Sequence, residues 1–288
     1  MATFGVYGAI EEMPVDAMTE RLQSIEELGY DSFWVGENIG MDAFVQLAFA
    51  ASVTTRLRFG TAIVPIWSRT AATMRASSRA LADLSGDRFT LGVGASHPAF
   101  AEQTWGVRPD APVTRMREYL ARYAEAAQEG DRRVPLYIAA LRPRMLELAA
   151  EHADGVLPYL VTPERIAEMR SVVGTSTKIV AALAVSVDDD RRVALRRARE
   201  YLGVYREADV YRTSLFACGF GPDDLDPEPS ERLVHAIVAL GSAAEVTERL
   251  REFVEAGADQ LNLMMLDGDP WYEPHPPTLA ALAPLLLR

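Results

Sequence analysis

Residues 56–97 read RLRFGTAIVPIWSRTAATMRASSRALADLSGDRFTLGVGASH and decide the fold of this chain. Two short β-rich runs, 57–64 and 89–93, flank an Ala-rich helical pattern over 71–84. A strand, a helix and a second strand in this order form one βαβ unit of a parallel sheet. Both strands finish in small residues, Gly60-Thr61-Ala62 and Gly92-Val93-Gly94-Ala95-Ser96. Glycine weakens a strand interior unless something profits from the missing side chain, and small residues let a ligand approach the backbone. The segment therefore reads as two neighbouring walls of a ligand pocket.

Outward from this unit, short apolar runs alternate with amphipathic helices about eight times. Strands are expected at 3–7, 32–36, 57–64, 89–93, 135–139, 155–159, 179–187 and 260–265. Helices are expected between them, for example at 15–28 and at 245–256, the latter closed by Gly257. Eight β/α repeats in 288 residues predict a (β/α)8 TIM barrel; an open doubly wound sheet is the other reading. Tight linkers and the absence of low-complexity runs predict a single domain over 1–288. Residues 207–230 break the rhythm. Their Gly-, Pro- and Asp-rich core, YRTSLFACGFGPDDLDPEPS at 211–230, reads as a loop inserted before the last β/α unit, in the manner of barrel lids.

Composition excludes several classes of function. A net charge of −12 argues against nucleic acid or an anionic membrane as partner. No apolar run approaches the roughly 18 residues of a membrane span, and the start of the chain lacks a basic leader. A single cysteine, Cys218, excludes an internal disulfide and predicts a cytoplasmic location. Lys178 is the only lysine, and it stands at the barrel end opposite the usual active-site face, which excludes a Schiff-base aldolase. The four histidines form no H-x-H or H-x-x-x-H pair, so no metal site is expected.

In a barrel, chemistry sits at the C-terminal ends of the strands. Those ends are poor in acids and bases: besides tyrosines, only Glu37 and His97 are ordinary proton-transfer candidates. Such poverty suits a site where an organic cofactor carries the chemistry and a small molecule is the substrate. His97 either touches the cofactor and donates a proton, or caps a helix beginning at Pro98. The turn Ala139-Ala140-Leu141-Arg142-Pro143-Arg144 opens a helix whose amides and arginines could hold a phosphate, or the arginines are simply solvated. Phe44, Val45, Leu47, Phe49 and Val53 make the second helix apolar on more than one face, which on the outside of a barrel calls for a partner.

The order of Gly-Thr-Ala-Ile-Val-Pro at 60–65, Leu-Ser-Gly-Asp-Arg-Phe-Thr-Leu-Gly-Val-Gly-Ala-Ser-His at 84–97 and Met-Arg-Glu-Tyr-Leu at 116–120 resembles the bacterial-luciferase-like superfamily. Further matches are Leu28 to Val35, Pro135 to Ala140, Glu-His-Ala-Asp-Gly at 151–155 and Ala-Gly-Ala-Asp at 256–259. Within the superfamily the chain is most similar to oxidoreductases that use the deazaflavin coenzyme F-420. The resemblance implies hydride exchange between that coenzyme and a small organic substrate, with reduced FMN and oxygen, or binding without catalysis, as alternatives. Taken with the small-residue walls and strand ends above, it gives cofactor contacts at Asn38, Gly60, Thr61, Ala62, Ile63, Gly94, Ala95, Ser96, Ala139, Ala140, Leu141, Arg142 and Arg144, where Arg142 either clamps the phosphate or obstructs it, while elimination among the strand ends gives the catalytic roles to His97 and Glu37. It also implies a cis peptide between Ala62 and Ile63 and a homodimer through the second and third helices. Three departures stand out. Asn38 replaces a common His, Arg142 replaces a common Gly, and the segment that relatives carry after the helix at 116–120 is short here.

Overall fold

A computed structural model of the chain describes residues 2–37 and 40–287. Eight parallel staves close into a ring. They are β1 (Thr3–Tyr7), β2 (Ser32–Val35), β3 (Arg58–Thr61) continued by β4 (Val64–Pro65), β5 (Phe89–Gly94), β6 (Leu136–Ile138), β7 (Gly155–Val156), β8 (Lys178–Val187) and a last strand, β10 (Gln260–Met265). The ring closes because β10 pairs with both β1 and β8, in the registers Phe4↔Leu261 and Val180↔Gln260. A short β9 (Ala239–Gly241) lies beside the outer end of β8, with Val185 opposite Ala239. The architecture is therefore the (β/α)8 TIM barrel, and the open sheet is excluded.

Barrel strands are covered on both faces and so carry near-continuous apolar runs. In β8 only Lys178 is exposed, and in β2 all four residues are buried. The connecting helices show the complementary pattern. The helix Ala71–Ser85 buries Ala71, Met74, Ser78, Leu81, Ala82 and Ser85 at three- and four-residue intervals, which puts one face on the barrel. Thr70 starts it by accepting the Thr73 amide at 3.2 Å, and Gly86 ends it at φ +66°, a left-handed turn that suits glycine.

The Asp-containing motifs fall at the N-terminal end of the barrel, the end that serves stability rather than chemistry. Asp154 accepts the Leu136 amide at 2.9 Å, and Asp259 accepts the Ile179 amide at 2.8 Å. Each carboxylate thus pins a neighbouring strand. Asp259 also pairs with Arg170 at 2.5 Å and with Lys178 at 3.3 Å, so the single lysine is far from the mouth where barrel chemistry occurs.

Two expectations need correction. The strand at 57–64 is interrupted: β3 stops at Thr61 and β4 begins at Val64, with a cis peptide between Ala62 and Ile63. The insertion at 207–230 is not a loop. It contains a helix, Asp209–Ala217, and a 3-10 turn, Pro222–Asp224. Leu215, Phe220 and Leu225 bury themselves with Tyr201, Leu202, Leu233 and Val234 in a second apolar cluster, and that burial orders a segment whose composition alone suggests a loop. Among the described residues no helix is long and apolar enough to cross a membrane.

Candidate active site

A cavity of about 990 Å3 opens at the C-terminal mouth of the barrel. One wall is small-residued: Ala62 and Ile63 between β3 and β4, Ala95 and Ser96 after β5, and Ala139 after β6. Leu157, Val180, Ala182 and Asn262 line it deeper in the barrel. Facing them are aromatic side chains: Tyr7, His97, Phe100, Tyr159, Tyr205 and Tyr211. Arg142, Pro143, Arg144 and Met145 form one rim. A mainly apolar hollow with a few polar groups is the usual form of a small-molecule site.

The structure divides the expected site residues into two groups. Glu37, Ala62, Ile63, Ala95, Ser96, Ala139, Leu141, Arg142 and Arg144 line the cavity, as does His97. Gly60, Thr61, Gly94 and Ala140 do not. A Cβ on Gly60 would collide with the Trp34 indole, and one on Gly94 would come within 2.9 Å of the Ile63 side chain. Their smallness makes room for neighbouring side chains rather than for a ligand. Thr61 is fully buried and exchanges hydrogen bonds with the carbonyl and amide of Gly92, both at 2.8 Å. Ala140 belongs to the core. Asn38 lies outside the described residues.

Glu37 lines the cavity with both oxygens engaged. Oε1 is 2.5 Å from Arg69 Nη1, and Oε2 accepts the Ala43 amide at 3.2 Å. This arrangement ties the end of β2 to the start of the helix Ala43–Val53. His97 is positioned by Ser96, whose φ of +57° swings the chain out of β5 into the helix Pro98–Trp105. His97 occupies the N-cap of that helix but makes no side-chain capping bond. Its ring is instead packed 5.5 Å from Phe100 and 6.2 Å from Tyr211. Burial pushes its pKa below the ordinary 6.5, so the imidazole is neutral at pH 7.

The tyrosines carry what sequence reasoning missed. Tyr201 and Tyr205 end the helix Arg191–Tyr205, and Tyr211 comes from the inserted helix. Tyr205 and Tyr211 meet Tyr159 over the cavity, with Tyr159 to Tyr205 at 5.4 Å and Tyr205 to Tyr211 at 5.3 Å between ring centres, and Tyr201 is buried behind them. The available signal was the four-residue spacing of Tyr201 and Tyr205 just before the insertion, which puts both rings on one helical face.

The cavity can be tested against a flat fused-ring cofactor with an anionic tail. Ala62, Ala95 and Ala139 keep most of the small-residued wall low, with the Ile63 side chain as its one bulky member. Asn262 Oδ1 is occupied by Gln260 Nε2 at 2.6 Å, while its buried Nδ2 has no partner. An orphaned buried donor of this kind fits a ligand oxygen. Arg142 and Arg144 make no ion pair among the described residues and so remain available to an anion. The helix start beside them is a reduced anion site: Pro143 has no N–H, and the Met145 amide turns back to the Arg142 carbonyl at 3.1 Å. The residues present fit the group, with the arginine side chains as the principal holders of the tail.

The chain belongs to the luciferase-like monooxygenase family, whose model matches residues 2–260. A candidate coenzyme F-420-dependent oxidoreductase of Mycobacterium tuberculosis is 27% identical over 89% of this chain and 92% of its own length. The coenzyme F-420-dependent tetrahydromethanopterin reductase of Methanopyrus kandleri superposes with a TM-score of 0.75 at 17% identity, covering 99% of this chain and 98% of that one. The oxygenating constituent of 3,6-diketocamphane monooxygenase from Pseudomonas putida, solved with FMN, reaches 0.74 at 17% identity over 100% and 99%. At these identities the two structures establish the shared fold.

Proposed function

We propose that this chain is an oxidoreductase that exchanges a hydride between coenzyme F-420 and a small organic substrate. The observation that carries this reading is the make-up of the cavity. It has a mostly small-residued wall on one side, aromatic rings on the other, and no lining carboxylate free to act, since Glu37 is tied to Arg69. The deazaflavin, when bound, supplies the hydride chemistry; the protein supplies shape, orientation and protons. Ala62, Ile63, Ala95 and Ser96 would hold the ring, with Arg142 and Arg144 at the anionic tail. Glu37 serves as an anchor, and neutral His97 flanks the substrate space. The similarity to the Mycobacterium tuberculosis protein supports the choice of cofactor.

A second reading, a reduced-FMN monooxygenase, draws on the name of the family itself. Fluorescence titration of the purified protein with F-420 and with FMN separates the two. Binding of F-420 without turnover of any ketone, alcohol or imine would leave a binding protein.

A homodimer through the helices Ala43–Val53 and Ala71–Ser85 is part of the proposal. Val45 on the first is 62% exposed and Leu84 on the second 72%, which sedimentation measurements on Val45→Lys and Leu84→Lys would test. We read the protein as a single-domain cytoplasmic enzyme, on its one cysteine and its continuous barrel.

A further inference from the structure

Three phenol hydroxyls stand in file beside the cavity. Tyr201 Oη donates to Tyr159 Oη across 2.6 Å, and Tyr159 Oη donates to Tyr205 Oη across 2.9 Å. The Met264 sulfur, 4.0 Å from Tyr159 Oη, is a weaker second acceptor. Tyr201 is buried, whereas Tyr159 and Tyr205 line the cavity, so the file runs from the protein interior to the site. A hydroxyl that accepts one hydrogen bond still has its own proton to give. Among the described residues no protein group takes the Tyr205 proton. Hydrogen bonds in series polarise one another, which strengthens the last donor.

The surroundings define what could accept that proton. The deep part of the cavity is uncharged, built from Tyr7, Leu157, Ala182, Tyr211 and Asn262. The charged lining residues are Glu37, neutralised by Arg69, and the exposed arginines at the rim. The unpartnered Asn262 Nδ2 adds a second free donor. The deep part thus offers free donors, the Tyr205 hydroxyl and Asn262 Nδ2 among them, and no fixed charge, while the unpaired arginines stand at the exposed rim. Burial raises the pKa of Tyr159, Tyr201 and Tyr205, so all three remain protonated at neutral pH.

We propose that Tyr205 is the proton-donating residue of this site, oriented and polarised by Tyr159 and Tyr201, and that the substrate is an uncharged carbonyl compound whose oxygen Tyr205 grips. This rests on the hydride-transfer reading above. In the balanced step the C=O π bond opens. The carbon takes a hydride with its electron pair from the reduced F-420, the oxygen takes the Tyr205 proton, and the product is an alcohol. Tyr159 and Tyr201 keep their protons and steady the Tyr205 oxygen by hydrogen bonding, and water entering the open cavity restores the Tyr205 proton. Alcohol oxidation is the same step reversed.

The test uses fluorine NMR titrations of the protein without cofactor. The probes are 4-fluoroacetophenone, its isostere 4-fluoro-α-methylstyrene with CH2 in place of the carbonyl oxygen, and 4-fluorobenzoate. A neutral hydrogen bond predicts that the ketone binds roughly three- to tenfold more tightly than the isostere, and that benzoate gains nothing over it. Tyr205→Phe should erase the preference and Tyr159→Phe should reduce it. Equal binding of ketone and isostere, no binding of either, or a preference that survives Tyr205→Phe overturns the proposal. Affinity for F-420 is measured on the same variants. A ketone preference without F-420 binding would sink the hydride-transfer reading alone, and F-420 binding without the preference would sink the tyrosine proposal alone. With F-420 and a reducible ketone, Tyr205→Phe should lower kcat by about 10²–10⁴-fold while KM changes far less.

Discussion

Arg69 Nη1 sits 2.5 Å from Glu37 Oε1, and the same guanidinium reaches Asp42, which caps the helix Ala43–Val53. The Glu37 and Arg69 side chains are 9% and 11% exposed, so the pair is largely shielded from water. Removing one partner leaves a buried charge uncompensated, which costs about 3–5 kcal/mol. Arg69→Ala is therefore expected to lower the unfolding free energy by roughly 3 kcal/mol in a urea titration. Arg69→Lys should restore only part of it, because a single ammonium cannot span both carboxylates as the guanidinium fork does. A stability unchanged by Arg69→Ala would show that this pair does not hold the fold.

Gly60 and Ala62 are two residues apart and have opposite roles. At Gly60 a methyl group would overlap the Trp34 indole. Gly60→Ala should destabilise the fold by about 1–3 kcal/mol and leave cofactor affinity intact in whatever protein remains folded. Ala62 lines the cavity, so Ala62→Trp should abolish cofactor binding with little change in thermal stability. Calorimetry and a binding titration on the two variants distinguish the roles, and the reverse outcome would place the ring elsewhere.

His97 offers a test by pH. Its pKa is lowered by burial, so it is neutral above about 6.5. If His97 delivered the proton, ketone reduction would fall as pH rises toward and past 6.5. If Tyr205 delivers it, its raised pKa leaves the rate level from about pH 6 to 8. We expect the level profile, together with a His97→Ala variant that keeps most of its turnover and loses substrate affinity.

Acid should unfold the protein in two stages. Burial lowers the pKa of His97 and of His275, so below about 6.5 the unfolded chain takes up protons more readily and stability declines gently. Carboxylates supply the steeper stage. The Arg232 guanidinium and the Gly221 amide hold Asp224 down to about 2. The amide and hydroxyl of Ser242, with Arg191, hold Glu245 at about 2. Depressed carboxylates stabilise the fold above their unfolded values, near 4, and that contribution is lost as pH falls from there toward 2. Urea midpoints measured from pH 7 to 3 should show the break near 4.5, softened in Asp224→Asn. A single transition centred above pH 6 would contradict this assignment.

Much of the barrel was legible because its staves are buried on both faces. Apolar runs such as 179–187 admit no other placement, and Gly86 and Gly257 mark helix ends. The short β9 was not legible: three residues, Ala239, Leu240 and Gly241, carry no periodicity of their own and pair only because β8 is long enough to receive them. The inserted helix was hidden for a related reason, since Leu215 and Phe220 become core residues only when Tyr201 and Leu233 arrive from elsewhere. In the site, Ala62, Ala95, Ser96 and Ala139 line the cavity, yet Gly60 and Gly94 serve Trp34 and Ile63. The tyrosine file joins residues 42 and 46 positions apart through tertiary contact, which no local pattern encodes.

Deazaflavin binding in this cavity, as proposed, is tested by a fluorescence titration of the purified protein with F-420 and with FMN, repeated on Arg142→Ala/Arg144→Ala at low and high salt. The expected result is saturable F-420 binding that exceeds FMN binding. The double variant should lose tenfold or more in affinity, from two charge-assisted contacts, and show a flatter salt dependence. FMN binding with no measurable F-420 affinity, or an F-420 affinity indifferent to both arginines and to Ala62→Trp, would contradict this proposal.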